Sequence, residues 1–247
     1  MIPSFKSEFR KLLTVRTTYG ISLVSLALTA FFCLYVFGYK GNGAGALTAL
    51  SFHQLLSDGA SIGALFGAIV SALLVAHEYR YNTIMYTLTT NVHRTRVLAA
   101  KFGAIVIYAV LFGLASTLVA LGSFCIGVLL RGASLPYQDF NVWLDTARLI
   151  FSFIAYAIIT GIIAVIARSI VVAIVALFLL PTTIEPLLTL LLRDNGKYLP
   201  FNAINSVQGA MSSNSALTPG AAFWVSCLYL AIGLFVAWLL FTRRDAN

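Results

Sequence analysis

Charge is scarce in this chain. Only 10% of its 247 residues are Asp, Glu, Lys or Arg, while 60% are hydrophobic. A water-soluble domain carries about 25% charged residues. No soluble fold hides this much apolar surface, so the solvent is lipid. The length fits one membrane domain, 1–247, with no room for a soluble catalytic module. Cysteine is scarce as well. Cys33, Cys125 and Cys227 all fall inside apolar runs, where they read as small buried hydrophobes and not as a disulfide framework. No G-x-x-x-x-G-K-[ST] loop occurs, because the one Gly-Lys pair, Gly196–Lys197, lacks the upstream glycine. That excludes nucleotide binding by the P-loop route. The three histidines, His53, His77 and His93, have no zinc spacing, and no H-E-x-x-H is present. The chain is therefore expected to be no enzyme, with no catalytic residues, no metal site and no cofactor of its own.

What is present is a set of long uncharged runs. A helix needs about 20 apolar residues to cross the hydrocarbon core. Runs of that length lie between Arg16 and Lys40, Asp58 and His77, Lys101 and Arg131, and Arg148 and Arg168. A fifth follows Arg168 to Leu192, interrupted at Pro181, Glu185 and Pro186, and a sixth covers Ala221 to Thr242. The expected fold is all-α, with six transmembrane helices over approximately 18–38, 59–77, 102–130, 146–167, 169–192 and 221–242. Helices are the default because backbone polar groups in lipid must bond within their own segment. No stretch alternates as a membrane barrel strand would.

An even count places both termini on one side. With the N-terminus cytoplasmic, the inner side holds eleven cations and three carboxylates, and the outer side five of each. The positive-inside rule therefore favours cytoplasmic termini. The whole net charge of +8 then faces the cytoplasm, where it suits topology and anionic lipid better than nucleic acid. Trp143 and Trp224 fall at outer helix ends, and Tyr19 and Trp238 at inner ones, as interfacial aromatics do. The small residues "GAGA" at 43–46 resemble a signal-peptide cleavage site. The preceding apolar run is longer than a signal h-region, so no cleavage is expected.

Three polar segments do not span. In "IPSFKSEFRKLLTV", residues 2–15, Ile2, Phe5, Phe9, Leu12 and Leu13 share one helical face. Lys6, Ser7, Arg10, Lys11 and Thr14 share the other, and Pro3 suits a first turn. This predicts an amphipathic helix in the headgroup plane. In "EYRYNTIMYTLTTNVHRTRVLAAK", residues 78–101, Ile84, Met85, Leu88 and Val92 have helical spacing opposite Thr83, Thr87, Thr90 and Asn91. An apolar stripe on a cytoplasmic helix calls for a partner, unless it lies on the membrane surface. The third segment, 193–220, is rich in Asn, Ser and Gly. Pro200 is placed to start a helix with Phe201, Ile204 and Met211 on one side, and the segment either dips back into the membrane or is a surface loop.

Two features lie within the spans. Gly59, Gly63, Gly67 and Ser71 recur every four residues, a spacing that lets helices approach closely, either within the chain or across a dimer. Glu185 lies about 25 Å along the fifth run at 1.5 Å per residue. An ionisable group at such depth marks a functional position, here a point on a substrate path. Otherwise it is a structural ion pair with Arg148 or Arg193, or a group exposed to outer water.

The order of these parts resembles the ABC type-2 exporter permease family, the membrane half of ATP-driven exporters. "SEFRKLLTVRTTYG" (7–20) is similar to that family's elbow helix. "HEYRYNTIMYTLTTNVHRTRVLAAK" (77–101) is similar to its first cytoplasmic loop, with Asn82 where the family usually has Gly. "LLPTTIEPLL" (179–188) is similar to its interrupted fifth helix. The resemblance implies an N-terminal elbow helix (2–15), a cytoplasmic coupling helix, and a re-entrant segment between helices 5 and 6. It implies that Thr83, Ile84, Met85, Thr87, Leu88 and Asn91 contact a separate P-loop ABC ATPase, which holds ATP and Mg. Glu78 and Arg80, together with Arg16, would tie the loop to the elbow. It also implies a dimer of permeases, identical or not, in the plasma membrane of a bacterium. The cargo would be an amphipathic drug, antibiotic or peptide moved outward, so antibiotic resistance is an expected role. The alternative is a self-contained channel or secondary transporter, which would carry mid-membrane ionisable residues and often an inverted repeat. No repeat is visible in the sequence.

Overall fold

A computed structural model describes residues 7, 9–12, 14–36, 49–81, 94–130, 141–209 and 217–243, with backbone alone at 49–56, 94 and 142. Among these residues every regular element is helical and no strand occurs. The elements are α1 (Arg16–Leu34), α2 (Ala49–Arg80), α3 (Arg94–Leu130), α4 (Val142–Ala167), α5 (Ile170–Leu179), α6 (Glu185–Leu192), α7 (Pro200–Val207) and α8 (Pro219–Arg243). A π-turn over Leu180–Ile184 joins α5 to α6, and a 3₁₀ segment over Arg193–Tyr198 precedes α7.

Among the described residues six stretches are long and apolar enough to span: Arg16–Leu34, Ser57–Arg80, Thr95–Leu130, Trp143–Ala167, Ile170–Tyr198 and Pro219–Arg243. Several are longer than the uncharged runs. Hydrogen bonding along a helix does not stop at the first charge, so α2 carries on through His77 and Arg80, and α3 begins at Arg94.

Burial separates the spans into two kinds. The spans of α2 and α4 are each 67% buried, whereas those of α1, α5–α6 and α8 are only 17–22% buried. Thus α2 and α4 form the centre, and the other helices pack around them. The small-residue stripe on α2 explains this close approach. A Cβ on Gly63 would meet the hydroxyl of Ser116 on α3 and come within 2.9 Å of the Phe153 ring on α4. Ser71 donates to the Ala157 carbonyl of α4 at 2.9 Å. The stripe therefore serves packing within the chain. Gly63→Ala is expected to cost about 1–3 kcal/mol through overpacking. Gly20→Ala, where a Cβ meets nothing within 4 Å, should be tolerated. Paired unfolding measurements on the two variants would check this.

The helix ends follow local rules. Asn141 caps α4 by accepting the Leu144 amide at 3.3 Å, and Asp145 adds negative charge to its first turn. Arg168 closes α4 in the left-handed region, at φ 52°. Ser169 then opens α5 by accepting from the Val172 amide at 3.5 Å. This two-residue corner leaves Arg168 over the ring of Tyr79, 5.8 Å away. The α4–α5 corner, the end of α2 and the start of α3 consequently share one end of the bundle, the basic end.

The fifth span is re-registered and not broken. Pro181 and Pro186 each remove a backbone donor, and the ladder lengthens by one residue, so that the Glu185 amide bonds the Leu180 carbonyl. Such π-turns often sit at functional positions. The chain then turns back sharply. A Cβ on Gly196 would lie 2.8 Å from the Thr189 Cα, so only glycine fits where the 3₁₀ segment folds against α6.

The three cysteines are free, but their environments differ. Cys33 is buried, as its sequence context predicts. Cys125 is exposed and Cys227 half-buried, because an apolar run in a membrane helix faces lipid as readily as core.

Candidate functional site

At the basic end, one carboxylate joins three chain segments. Glu78, in the last turn of α2, is 6% exposed. Its Oε1 accepts from the Lys11 Nζ at 2.6 Å and from the Lys101 Nζ at 2.9 Å. Lys11 belongs to the N-terminal helical residues and Lys101 to the second turn of α3. The Lys101 side chain is 2% exposed, and that of Lys11 41%. An ammonium is tolerated at this depth only when paired. The pair therefore fixes where α2 and α3 approach each other, and Lys11 draws the N-terminal residues onto them.

The N-terminal residues are helical at 9–12. Leu12 is buried and Phe9 half-buried, while Ser7, Arg10 and Thr14 are exposed. This divides the segment by polarity, except that Lys11 turns inward to Glu78. Ile2, Pro3, Phe5, Lys6 and Leu13 lie outside the described residues. A cavity of about 450 Å³ lies beneath, between Leu12 and Val15 on one side and Val70, Leu74 and Glu78 on the other. Arg80 is exposed with its guanidinium 5.7 Å from the Tyr81 ring. Arg16 is exposed at the first position of α1. Thr83, Ile84, Met85, Thr87, Leu88 and Asn91 lie outside the described residues.

Glu185 occupies a different setting. It is 3% exposed, and its Oε1 and Oε2 accept the backbone amides of Phe201 and Asn202 at 2.8 and 2.9 Å. These amides belong to the first turn of α7, whose Ncap residue, Leu199, offers no side-chain cap. The carboxylate thus serves as a remote N-cap and complements the helix dipole. Arg148 instead pairs with Asp145, at 3.4 Å. An ion pair with Arg148 or Arg193 and exposure to water are both replaced by backbone capping. Asn202 completes the junction, donating to Thr189 Oγ1 at 3.0 Å and to the Gly196 carbonyl at 3.1 Å. Along α7, Phe201, Ala203, Ile204 and Val207 are buried. Met211, expected on the same face, lies outside the described residues.

Lys101 and Lys11 were absent from the residues that sequence reasoning assigned to the site. A signal existed for Lys101: it is a lone cation inside an apolar helix, a turn past the basic corner. For Lys11 the amphipathic pattern pointed the wrong way.

Six apolar spans around a small-residue packing seam define a multi-pass helical membrane protein. Residues 4–183 match the ABC-2 family transporter protein family, and the chain belongs to that family. The matched region holds the N-terminal residues, the Glu78 cluster and the first four spans, and ends just before Glu185. No curated protein matches the chain.

Proposed function

We propose that this protein is the membrane-spanning permease subunit of an ATP-driven exporter. The basic end faces the cytoplasm, with both termini there, and residues 83–91 form the helix that a separate P-loop ATPase grips. ATP and Mg bind in that partner. Two permease protomers form the path, and the cargo is an amphipathic compound such as a drug, antibiotic or peptide.

One observation carries this reading: the Glu78 pairing with Lys11 and Lys101. It brackets the 82–93 loop, since Glu78 precedes the loop and Lys101 follows it. A push on the loop is therefore delivered to α2, α3 and the N-terminal residues together. That segment acts as the elbow, with Glu78 as its anchor and with Arg80 and Arg16 at the surface beside it. From there α2, a continuous helix of 32 residues and about 48 Å, carries motion to the opposite end. The π-turn in the fifth span supplies a hinge on the other side of α4. α6, the 3₁₀ turn and α7 form the re-entrant element. What supports this is depth: the Tyr156 hydroxyl donates to Asn205 at 3.1 Å. Tyr156 lies only about 17 Å from Ala167 at 1.5 Å per residue, so α7 reaches well inside the layer that α4 spans.

The test is co-purification with the ATPase, followed by vesicle transport with and without ATP. Leu88→Asp is expected to abolish ATPase binding while leaving the unfolding temperature of the permease unchanged. Unchanged ATPase binding and stimulation would move the docking surface elsewhere. Transport driven by an ion gradient without ATP would replace this reading with a secondary transporter.

A further inference from the structure

At the end of the bundle opposite the Glu78 cluster, α2, α4, α5 with its π-turn, and α7 enclose a second cavity of about 340 Å³. Its character differs from the apolar packing around it. Ser57, Asp58, Ser61, Tyr156, Asn205 and Gln208 line it, with Phe178 and Leu177 as an apolar wall. The polar groups are organised: Ser57 donates to Gln208, Tyr156 donates to Asn205 at 3.1 Å, and Ser61 donates to the Ser57 carbonyl at 2.8 Å. Among the described residues Asp58 supplies the only carboxylate of the lining. Among the described residues no cation lies within ion-pair distance of it: at this end Arg148 pairs with Asp145, and Lys197 lies over the Tyr198 ring. Asp58 and Phe178 are exposed while Tyr156 and Gln208 are buried, so the cavity is open on one side and closed at its base.

A carboxylate with no cation beside it among the described residues, at the mouth of a half-apolar chamber inside a membrane bundle, suits one kind of guest. The guest brings a positive charge to Asp58, hydrogen-bonding groups to the amides and hydroxyls, and a hydrocarbon part to the apolar wall of Leu177 and Phe178. We infer that this cavity binds the ammonium head of a cationic amphipath, with Asp58 as the counter-charge. Its size falls in the ordinary range for small-molecule sites, about 300–1,000 Å³. Phe178, at the rim, adds an aromatic face of the kind that attracts ammonium groups. The inference rests on the transport reading for its physiological role, but not for binding, which the permease alone displays.

The experiment uses the full chain in nanodiscs of neutral phosphatidylcholine. The probes are a dansyl-labelled long-chain primary amine and its uncharged N-acetyl derivative, with binding to empty discs subtracted. Saturable binding of the amine is expected, with the acetylated form at least about tenfold weaker, the scale of one charge-assisted hydrogen bond. Asp58→Asn should remove that preference and leave the acetylated probe unaffected, whereas Asp58→Glu should keep it. Ser61→Leu, which fills the same chamber, should weaken both probes. Equal affinity for the two probes in the natural protein would overturn the inference. So would an amine preference surviving Asp58→Asn, or binding that ignores Ser61→Leu. A protein that binds the amine as described but does not move it under ATP would retain the site and lose the transport reading.

Discussion

Glu78→Ala is expected to destabilise the folded protein by about 3–5 kcal/mol, the cost of breaking a buried ion pair by removing one partner. Lys101 loses the carboxylate it meets at 2.9 Å. Its side chain is 2% exposed, so water cannot take the place of the carboxylate. Lys11→Ala should cost less than about 1 kcal/mol, because that ammonium is 41% exposed and already solvated. The contrast assigns the energy to the α2–α3 contact and the positioning of the N-terminal residues to the weaker arm. Glu78→Leu combined with Lys101→Met removes both charges and should recover most of the lost stability. Equilibrium unfolding in bicelles reads all three variants. A Glu78→Ala variant as stable as the natural protein would mean that the other contacts of Lys101 suffice to hold it, and the cluster would not bracket the loop. The rescued double variant also separates folding from coupling. If it folds but no longer stimulates the ATPase, the charges themselves matter to transmission.

The spans were legible because lipid imposes a length on apolar runs, and six such runs are plain in the sequence. Their ends were less so. α2 and α3 overrun the charges that border the runs, since His77, Glu78 and Arg80 are as helical as the residues before them. The stripe of Gly59, Gly63, Gly67 and Ser71 announced close packing but not against what. The answer, Ser116, Phe153 and the Ala157 carbonyl, lies on helices that follow much later in the chain. Lys101 counted in the sequence only as a topological charge, because its burial depends on a carboxylate on another helix. Residues 83–91 remain a reading of pattern and resemblance. Glu185 was recognisable as an unusual residue, yet its role required the 3₁₀ turn that brings Phe201 and Asn202 back beside it. A fold-back of that kind leaves little trace in periodicity. Pro200 marked the helix that follows, but the glycine at 196, where the chain turns, passed as ordinary loop composition.

Glu185→Ala is the second large effect. Two backbone donors, that of the buried Phe201 and that of the half-buried Asn202, would lose their acceptor. A buried unsatisfied amide costs about 1–3 kcal/mol and a half-buried one less, so α7 should loosen by roughly 1–4 kcal/mol. Because α7 is short and has no side-chain cap of its own, the loss should appear as local opening, with the six spans still in place. Hydrogen exchange of a peptide covering 199–208 should accelerate at least tenfold, while peptides from α2 and α4 stay protected. Glu185→Gln keeps one carbonyl oxygen and should fall between. The same pair of variants divides a capping role from a place on the substrate path. A capping residue changes exchange in α7 first, and any transport defect scales with that change. A residue that touches cargo would alter transport in Glu185→Gln while α7 exchange stays as it was. Unchanged exchange in Glu185→Ala would remove the carboxylate from the fold of α7 altogether, and with it the reason the fifth span turns back toward Tyr156.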